Sequence, residues 1–326
     1  FGPKLPPRWQ MPVIPLGIDC DEFRPDPAAG KALRDRLGMA EGDVAALVVA
    51  RLSPHEKFDP LPVYIALAEA QKGMSSGSRL HLMLYGNPPD DYSRRVFLQG
   101  AKALMPDVGL HHLPHEGSDA RLAALSGADM FLFPIDNLQE SFGIAPVEAM
   151  AAGLPVIASD WDGIRDTVDG EGGIRIPTLG ARPEHGVLSA QRHFGGTDNY
   201  IQYLSQNSAI TRIDVARMAE AIAALARDPD RRKAMGQAAK ARALSLFDWS
   251  VVIPQMQDLF AELSAIRARA MAKDHPPTPP ALLPVAPAPM AIFADFPSSR
   301  IDTDDRIWRC VPLDGRPDIA TTFALR

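Results

Sequence analysis

The alternation of short apolar runs with longer segments of helical periodicity is the feature that most constrains this chain. Seven apolar runs predict strands at residues 13–18, 44–51, 80–85, 109–113, 130–134, 154–159 and 173–176. Helical patterns lie between most of them, at residues 61–71, 91–104, 119–125, 144–152 and 164–168. This order is typical of an α/β fold in which crossover helices connect parallel strands. We therefore predict a Rossmann-like parallel sheet with crossover helices, followed by C-terminal helices and a Pro-rich tail.

The pattern changes after residue 178. A polar, glycine-bearing stretch that we predict to be irregular runs to about residue 210, and helices are predicted at 215–226, 230–246 and 251–272, with Asp230 as the N-cap of the second. Seven prolines within residues 275–289 predict an extended linker without a packed core. The predicted organisation is a lead-in with the first strand (1–40), the main domain (41–272), a Pro-rich linker (273–290) and a short tail of unknown role (291–326).

Charge and composition exclude several classes of protein. Forty acidic residues against 34 basic ones give a net charge of −6, which argues against a general nucleic-acid binder. The two cysteines do not make a disulfide framework, and no apolar run reaches the ~20 residues of a membrane span. We expect a cytoplasmic protein without a transmembrane segment and leave peripheral membrane association open. The start at Phe1, without a signal peptide, suggests an excised piece of a longer protein.

Sequence motifs for nucleotide binding by a P-loop or by a G-x-G-x-x-G turn are missing, and so is the zinc motif H-E-x-x-H. The segment from Gly73 to Gly77 fits G-x-S-x-G, but it follows a helix, whereas a nucleophile elbow follows a strand. A ligand must therefore bind this α/β fold in another way.

Residues 128–162 carry the strongest site signal. A predicted strand leads into Glu140, and a helix opens at about Ile144, so that the backbone N–H groups of Phe142, Gly143 and Ile144 form a helix N-terminus that favours an anion such as a diphosphate. Gly143 lets a ligand approach the backbone closely. Glu148 lies among small apolar residues, where a carboxylate is costly unless hydrogen bonds reach it, and a ribose diol would donate them. Glu140 is placed to hold sugar hydroxyls.

These residues resemble the E-x7-E signature of retaining glycosyltransferases of the GT-B fold, specifically glycosyltransferase family 4. Glu140 and Glu148 enclose seven residues, and Phe142-Gly143 matches the flanking pattern. Arg51, at the end of a predicted strand, and Lys57 are similar to the pair that binds the donor diphosphate in that family, although the family's spacing is one residue shorter. The likeness covers about residues 12 to 265 and implies one Rossmann-like half of a GT-B enzyme.

The resemblance implies a function and its partners. The donor would be a nucleotide diphosphate sugar and the acceptor a saccharide, lipid or small molecule of unknown identity, with no metal and no other cofactor. Arg51, Lys57 and the helix start would stabilise the leaving diphosphate, and His115 lies in the loop whose backbone contacts the base in that family. A GT-B enzyme also places an acceptor domain before this one, and only about a dozen residues precede the first predicted strand here.

Other interpretations remain open at this point. The absence of an acceptor domain favours a non-catalytic module that binds nucleotide sugars. An epimerase or a phosphorylase on the same fold is a third possibility. The plain alternative for Glu140 and Glu148 is two solvated carboxylates flanking an ordinary turn. Asp136 and Asn137, just before the motif, are predicted to be turn formers rather than sugar ligands.

Overall fold

Six parallel strands form the centre of the fold in the computed structural model, which describes residues 12–138, 140–181 and 186–272. The chain divides into two units, residues 1–261 and 262–326, and the structure describes only residues 262–272 of the second. The strands of the sheet are β1 Val44–Val49, β2 Leu80–Tyr85, β3 Gly109–Leu113, β4 Met130–Phe133, β5 Val156–Ser159 and β6 Gly173–Ile176. The predicted α/β class and parallel sheet are confirmed.

The order of the strands creates a crevice beside β1. Across the sheet the order is β3-β2-β1-β4-β5-β6, so that Leu47 of β1 lies between Met83 of β2 and Phe131 of β4. The chain runs outward from β1 to β3 and then returns to the other side of β1 as β4. The connections that follow β1 and β4 therefore leave the sheet in opposite directions, and ligands of open α/β sheets bind at such a switch point.

The central strands are buried on both faces, which explains why their sequences are continuous apolar runs. All six residues of β2 are buried, and Ala45, Ala46 and Leu47 of β1 have no exposed surface. Strands of a parallel sheet covered by helices on both sides show this pattern instead of an alternating one. The burial supplies most of the hydrophobic core.

Helices cover the sheet and extend the chain beyond it. Helix α2 packs against α10 and α1 against α5, while α11 packs against α6. The helices are α1 Pro27–Arg36, α2 Leu61–Gln71, α3 Asp91–Arg94, α4 Gly100–Leu104, α5 Ser118–Gly127, α6 Ile144–Ala151, α7 Ile164–Thr167, α8 Val187–Phe194, α9 Tyr200–Ser208, α10 Val215–Arg227, α11 Pro229–Leu246 and α12 Trp249–Met271. A π-helical segment, Arg95–Gln99, joins α3 to α4, so the helix predicted at 91–104 is helical throughout but not uniform.

The strand predicted at residues 13–18 is wrong. Residues 12–17 form no strand, and Ile18 makes only an isolated parallel bridge with Asp248. The N–H of Ile18 donates to the carbonyl of Phe247, and the N–H of Trp249 donates to the carbonyl of Ile18. These backbone hydrogen bonds join the segment to the start of α12 and not to a strand of the sheet.

Helix α1 is an element that the sequence analysis missed, because residues 1–40 were treated as a lead-in. Its signals are ordinary: the Asp26 carboxylate caps the N–H groups of Ala28 and Ala29, and Pro27 occupies the first turn. Helix α11 begins one residue before its predicted start, because Asp228 is the N-cap and accepts from the N–H of Arg231. The predicted cap at Asp230 is therefore wrong.

The stretch up to residue 210 was also predicted incorrectly. It contains α8 and α9, and α9 opens with a capping box in which the side chains and backbones of Asn199 and Gln202 bond reciprocally. A two-stranded antiparallel ribbon of β7 Thr178–Leu179 and β8 Arg212–Ile213 encloses this segment. The polar composition reflects short helices with limited burial, not irregular backbone.

The Pro-rich linker (273–290) and the tail (291–326) lie outside the described residues. In the described part of the chain, no helix combines the length and the apolar composition that a bilayer crossing requires.

Candidate functional site

Lys57 and Glu140 meet at the switch point of the sheet. The Lys57 Nζ lies 2.7 Å from Glu140 Oε2, joining the loop after β1 to the loop after β4. The Glu140 side chain is only 13% exposed and Lys57 28%. The N–H of Gly143 donates to the other carboxylate oxygen, Oε1, at 3.0 Å. The predicted helix N-terminus thus already has one anionic partner, supplied by the chain itself.

Gly143 is required for a reason different from the one predicted. Its φ of +79° lies in the left-handed region, where a Cβ is unfavourable. A Cβ would also meet Ile164 Cδ1 at 2.8 Å and Phe133 Cε1 at 3.0 Å. Core side chains fill the space that a Cβ at this position would need. Glycine therefore permits the left-handed turn and the close packing, and it does not open a path for a ligand on the side of Ile164 and Phe133.

The Glu148 carboxylate is buried on α6 and is held by an arginine. Arg121 Nη1 donates to Glu148 Oε1 at 3.0 Å and to Oε2 at 3.1 Å. The Arg121 guanidinium lies 5.3 Å from the centre of the Phe23 ring, a cation–π contact. Burial raises the pKa of Glu148, and the charge of Arg121 opposes that rise. The expectation that Glu148 needs hydrogen-bond donors is met in part by the chain itself, because Arg121 supplies two bonds. The ribose diol stays a prediction.

Arg51 and His115 line a common cavity with Arg121. The cavity measures about 500 Å³ and lies at the carboxyl ends of β1 and β2, between Ala50, Gly86 and the loop after β3. The Tyr85 hydroxyl lies 3.1 Å from Nδ1 of His115, which fixes the ring at the wall. Of the predicted site residues, Arg51 and His115 therefore line one cavity, and Glu148 pairs with Arg121, which also lines it.

The charges of the site form three pairs. Arg51 Nη1 lies 3.5 Å from Glu56 Oε2, Lys57 pairs with Glu140, and Arg121 pairs with Glu148. The Arg51 side chain is half exposed, so its pair is weak in water. An arriving diphosphate would compete with carboxylates for these cations, and Arg51 is the one most easily drawn away.

Phe142 and Ile144 lie on either side of Gly143 and differ in environment. The Phe142 ring packs edge-on against Phe247, 5.7 Å between centres, and is half-buried. Ile144 is 44% exposed at the first position of α6. Phe142 anchors the loop to the closing helices, while Ile144 presents the helix start to solvent.

Asp136 and Asn137 are more than the turn formers that we predicted. Both are buried, with exposures of 3% and 1%. Asp136 Oδ2 accepts from the N–H of Asp59 at 3.0 Å, which ties the loop after β4 to the start of α2. Burial raises the pKa of Asp136 to about 7. The pair is part of the scaffold behind the Lys57–Glu140 contact.

Arg121 is the main residue that sequence reasoning missed. A signal was present, since a buried Glu148 in an apolar helix needs a donor and α5 carries a single basic residue. The sequence does not show that α5 and α6 lie close enough for this pair, because the contact crosses between two crossover units. No group of His, Cys, Asp and Glu suited to a metal ion occurs among the described residues.

The fold and the site define the class of protein: an α/β domain that matches the Rossmann-like half of the GT-B architecture. Residues 31–178 match the family described as Glycosyl transferases group 1. This match agrees with the resemblance at the coarser level of the group 1 glycosyltransferases.

Two curated relatives are similar to parts of this chain. It is 26% identical over 276 residues to the GDP-mannose-dependent alpha-(1-6)-phosphatidylinositol monomannoside mannosyltransferase of Mycobacterium tuberculosis, covering 82% of this chain and 60% of that protein. It is 32% identical over 168 residues to a D-inositol 3-phosphate glycosyltransferase of Geodermatophilus obscurus, covering 50% of this chain and 36% of the relative. The chain thus spans well under two thirds of these relatives.

Solved structures support the fold. HepE of Anabaena, in complex with UDP-glucose, aligns with a TM-score of 0.52 and 19% identity over 76% of this chain and 56% of HepE. The C-terminal domain of the group 1 glycosyl transferase LpcC from Francisella tularensis aligns with a TM-score of 0.50 and 15% identity, covering 72% of this chain and all of that domain.

Proposed function

We propose that this chain is the donor-binding half of a retaining, metal-independent glycosyltransferase that transfers a sugar from a nucleotide diphosphate sugar to an acceptor hydroxyl. The observation that carries the proposal is the meeting of Lys57, Glu140 and the Gly143 N–H at the switch point. Two of these groups attract a phosphate and one accepts from sugar hydroxyls. The mannosyltransferase and inositol glycosyltransferase relatives and the UDP-glucose complex of HepE agree with a nucleotide sugar as donor.

Each residue takes a role that its position allows. Arg51 and Lys57 bind the diphosphate, while the Arg121-oriented Glu148 accepts from the ribose hydroxyls. Glu140 exchanges its contact with Lys57 for the hydroxyls of the donor sugar. His115 lines the cavity beside the base.

The proposed reaction needs charge stabilisation rather than a protein nucleophile. The bond between the anomeric carbon and the diphosphate oxygen breaks, the acceptor oxygen bonds to the same face, and the acceptor proton passes to the leaving diphosphate. Arg51, Lys57 and the N-terminus of α6 stabilise the negative charge that develops on that leaving group. The acceptor site and the cytoplasmic location remain predictions.

Two neutral substitutions test the roles of the carboxylates. Glu148→Gln is expected to weaken nucleotide diphosphate binding about tenfold in calorimetry, because a hydrogen-bond acceptor of the ribose is lost. Glu140→Gln is expected to leave that affinity within about twofold, since it also frees Lys57, and to reduce transfer by about a hundredfold in a version extended by an N-terminal domain. Equal nucleotide affinities for the wild type and Glu148→Gln would contradict the ribose role.

Transfer assays should include a chelator and an analysis of the product. We expect UDP-, GDP- or ADP-sugar transfer to survive excess EDTA and to conserve the anomeric configuration by NMR. Inversion of the configuration or loss of activity with EDTA would overturn the corresponding part of the proposal.

A second candidate function is a non-catalytic module that binds nucleotide sugars. Nucleotide binding without hydrolysis or transfer, by both this chain and the extended version, would select it.

A further inference from the structure

A second, larger cavity of about 970 Å³ lies between the loop after β1, the helical segment from α3 to α4, and residues 205–215. It shares no lining residue with the cavity beside Arg51. Small-molecule sites span roughly 300–1,000 Å³, so this volume is at the upper end of the range. The chemistry of the walls then decides which kind of ligand suits the cavity.

Apolar side chains remain exposed on all three walls of this cavity. Leu61 at the start of α2, Tyr92 in α3 and Ile210 after α9 are 39%, 49% and 48% exposed. The half-buried Val96 and Val215 also line it. Exposed apolar side chains that converge on one concave surface mark a site where an apolar ligand gains free energy by leaving water. The lining therefore favours a ligand with an extended hydrocarbon part.

Two arginines line the same cavity from different elements. Arg95 begins the π-helical segment and Arg212 lies in β8, and both are exposed. Neither side chain makes a hydrogen bond or an ion pair to another residue in the part of the chain that the structure describes. Arg121 and Arg242, in contrast, each hold a carboxylate of the chain. The guanidinium groups of Arg95 and Arg212 are therefore available to an anionic group of a ligand.

The negative charge on the walls is smaller than this positive charge. Asp59 and Asp136 are the two acidic residues of the lining. The Asp59 carboxylate accepts from the N–H of Leu61 at 3.0 Å, and burial raises the pKa of Asp136 to about 7, so that this group is partly neutral at pH 7. The net positive charge attracts an anion. A phosphate monoester carries a charge of about −1.5 to −2 and three acceptor oxygens, which suits two guanidinium groups.

We propose that this cavity binds a single-chain lipid that carries a phosphate head group. The alkyl chain lies along Leu61, Tyr92 and Ile210. The phosphate pairs with Arg95 and Arg212. The inference rests on the apolar lining and on the two arginines, and it adds a second site to the proposed donor site without depending on it.

The binding of alkyl phosphates to the full chain tests this proposal by calorimetry. The probes are hexyl phosphate and octyl phosphate below the concentrations at which they form micelles, with 1-octanol for the chain alone and inorganic phosphate for the head group alone. We expect octyl phosphate to bind about tenfold more tightly than hexyl phosphate, because additional methylene groups are buried. Octanol should bind about tenfold more weakly than octyl phosphate, and inorganic phosphate more weakly still.

Substitutions in the lining have matched controls elsewhere on the surface. Arg212→Gln removes a phosphate contact and should weaken octyl phosphate about tenfold, whereas Arg231→Gln changes an exposed arginine of α11 outside the cavity and should not. Ile210→Glu places a carboxylate where the chain lies and should abolish binding. Ile253→Glu changes a similarly exposed side chain of α12 (45%) and should leave the affinity within about twofold. Because all four side chains are exposed, none of these variants removes core packing.

Several outcomes would overturn the proposal. They are a failure of octyl phosphate to bind, binding of octanol or inorganic phosphate as tight as that of octyl phosphate, and equal affinities for a lining variant and its matched control. Loss of octyl phosphate binding in Arg51→Ala would also overturn it, since the ligand would then occupy the cavity beside Arg51. Titrations of the same preparation with UDP and GDP report on the proposed donor site separately, so that the two proposals can fail independently.

Discussion

At the amino-terminal edge of the sheet, Asp43, His81 and His111 form a closed row of hydrogen bonds, whereas at the carboxyl-terminal edge Asp136 keeps one oxygen without a partner in the described residues. His81 Nε2 lies 3.0 Å from Asp43 Oδ2, and its Nδ1 lies 2.9 Å from His111 Nε2. Asp43 also accepts from the N–H groups of Ala40 and Arg79. The row leaves the Asp43 carboxylate fully paired.

The contrast separates buried polar groups that are fully paired from one that is only partly paired. Neutral imidazoles satisfy the row: His111 donates to His81, and His81 donates to Asp43. Burial lowers the pKa of both histidines, that of His111 to about 4. At the other edge, burial raises the pKa of Asp136. The two edges therefore respond to pH with opposite sign.

The largest expected effect concerns the ion pair of Arg121 and Glu148 at the carboxyl-terminal edge of the sheet. Arg121→Ala leaves the buried Glu148 carboxylate without its donor and is expected to lower the free energy of unfolding by about 2–4 kcal/mol at pH 7, measured in urea. Lys31→Ala breaks an exposed pair with Asp35 and should cost less than about 0.5 kcal/mol. Equal losses in the two variants would show that Glu148 is solvated.

Asp136→Asn tests the unpaired carboxyl group. Burial raises the pKa of Asp136 from the 3.8 of an unperturbed aspartate to about 7 in the folded chain. Between those pH values the folded state keeps a proton that the unfolded state has lost, so wild-type stability falls as pH rises. Asparagine removes this contribution, and the variant should gain roughly 2 kcal/mol relative to wild type between pH 5 and pH 8. If the free energies of unfolding of the wild type and Asp136→Asn changed in parallel with pH, the raised pKa of the buried Asp136 carboxyl would be contradicted.

The histidine row should show the reverse dependence. The pKa of His111 falls from 6.5 to about 4 on folding, so between these values the unfolded state binds a proton that the folded state does not. This stability is complete above about pH 6.5 and is lost as pH falls towards 4. The variant His111→Gln keeps a hydrogen-bond donor for His81. Its free energy of unfolding should fall by roughly 1 kcal/mol less than that of the wild type as the pH is lowered towards 4. The comparison is made in the Asp136→Asn background, which removes the opposite pH dependence of Asp136. If the free energy of unfolding fell equally with and without His111→Gln as the pH is lowered, the lowered pKa of His111 would be refuted.

The sequence predicted the parts of this molecule that depend on local pattern. Strands β2, β3 and β6 and helix α2 have their predicted bounds, because each lies in a short segment bounded by polar or turn-forming residues. The partners of individual side chains were not predictable in the same way. Lys57 and Glu140 were both predicted in the site, but their ion pair depends on the strand order, and the Arg121–Glu148 pair depends on how α5 and α6 pack. The strand predicted at residues 13–18 does not form, because Ile18 bridges to Asp248, just before α12, instead of pairing in the sheet.

The smallest expected effect compares two buried serines. Ser208 and Ser159 each have a hydroxyl without a partner among the described residues, but Ser159 ends β5 in the sheet and Ser208 ends α9. Ser208→Ala and Ser159→Ala should each raise the free energy of unfolding by about 0.5 kcal/mol, since an unpaired buried hydroxyl is removed without leaving another group unpaired. The two variants should therefore be indistinguishable in urea unfolding. A loss of stability in either variant would show that its hydroxyl has a hydrogen-bond partner in the folded chain.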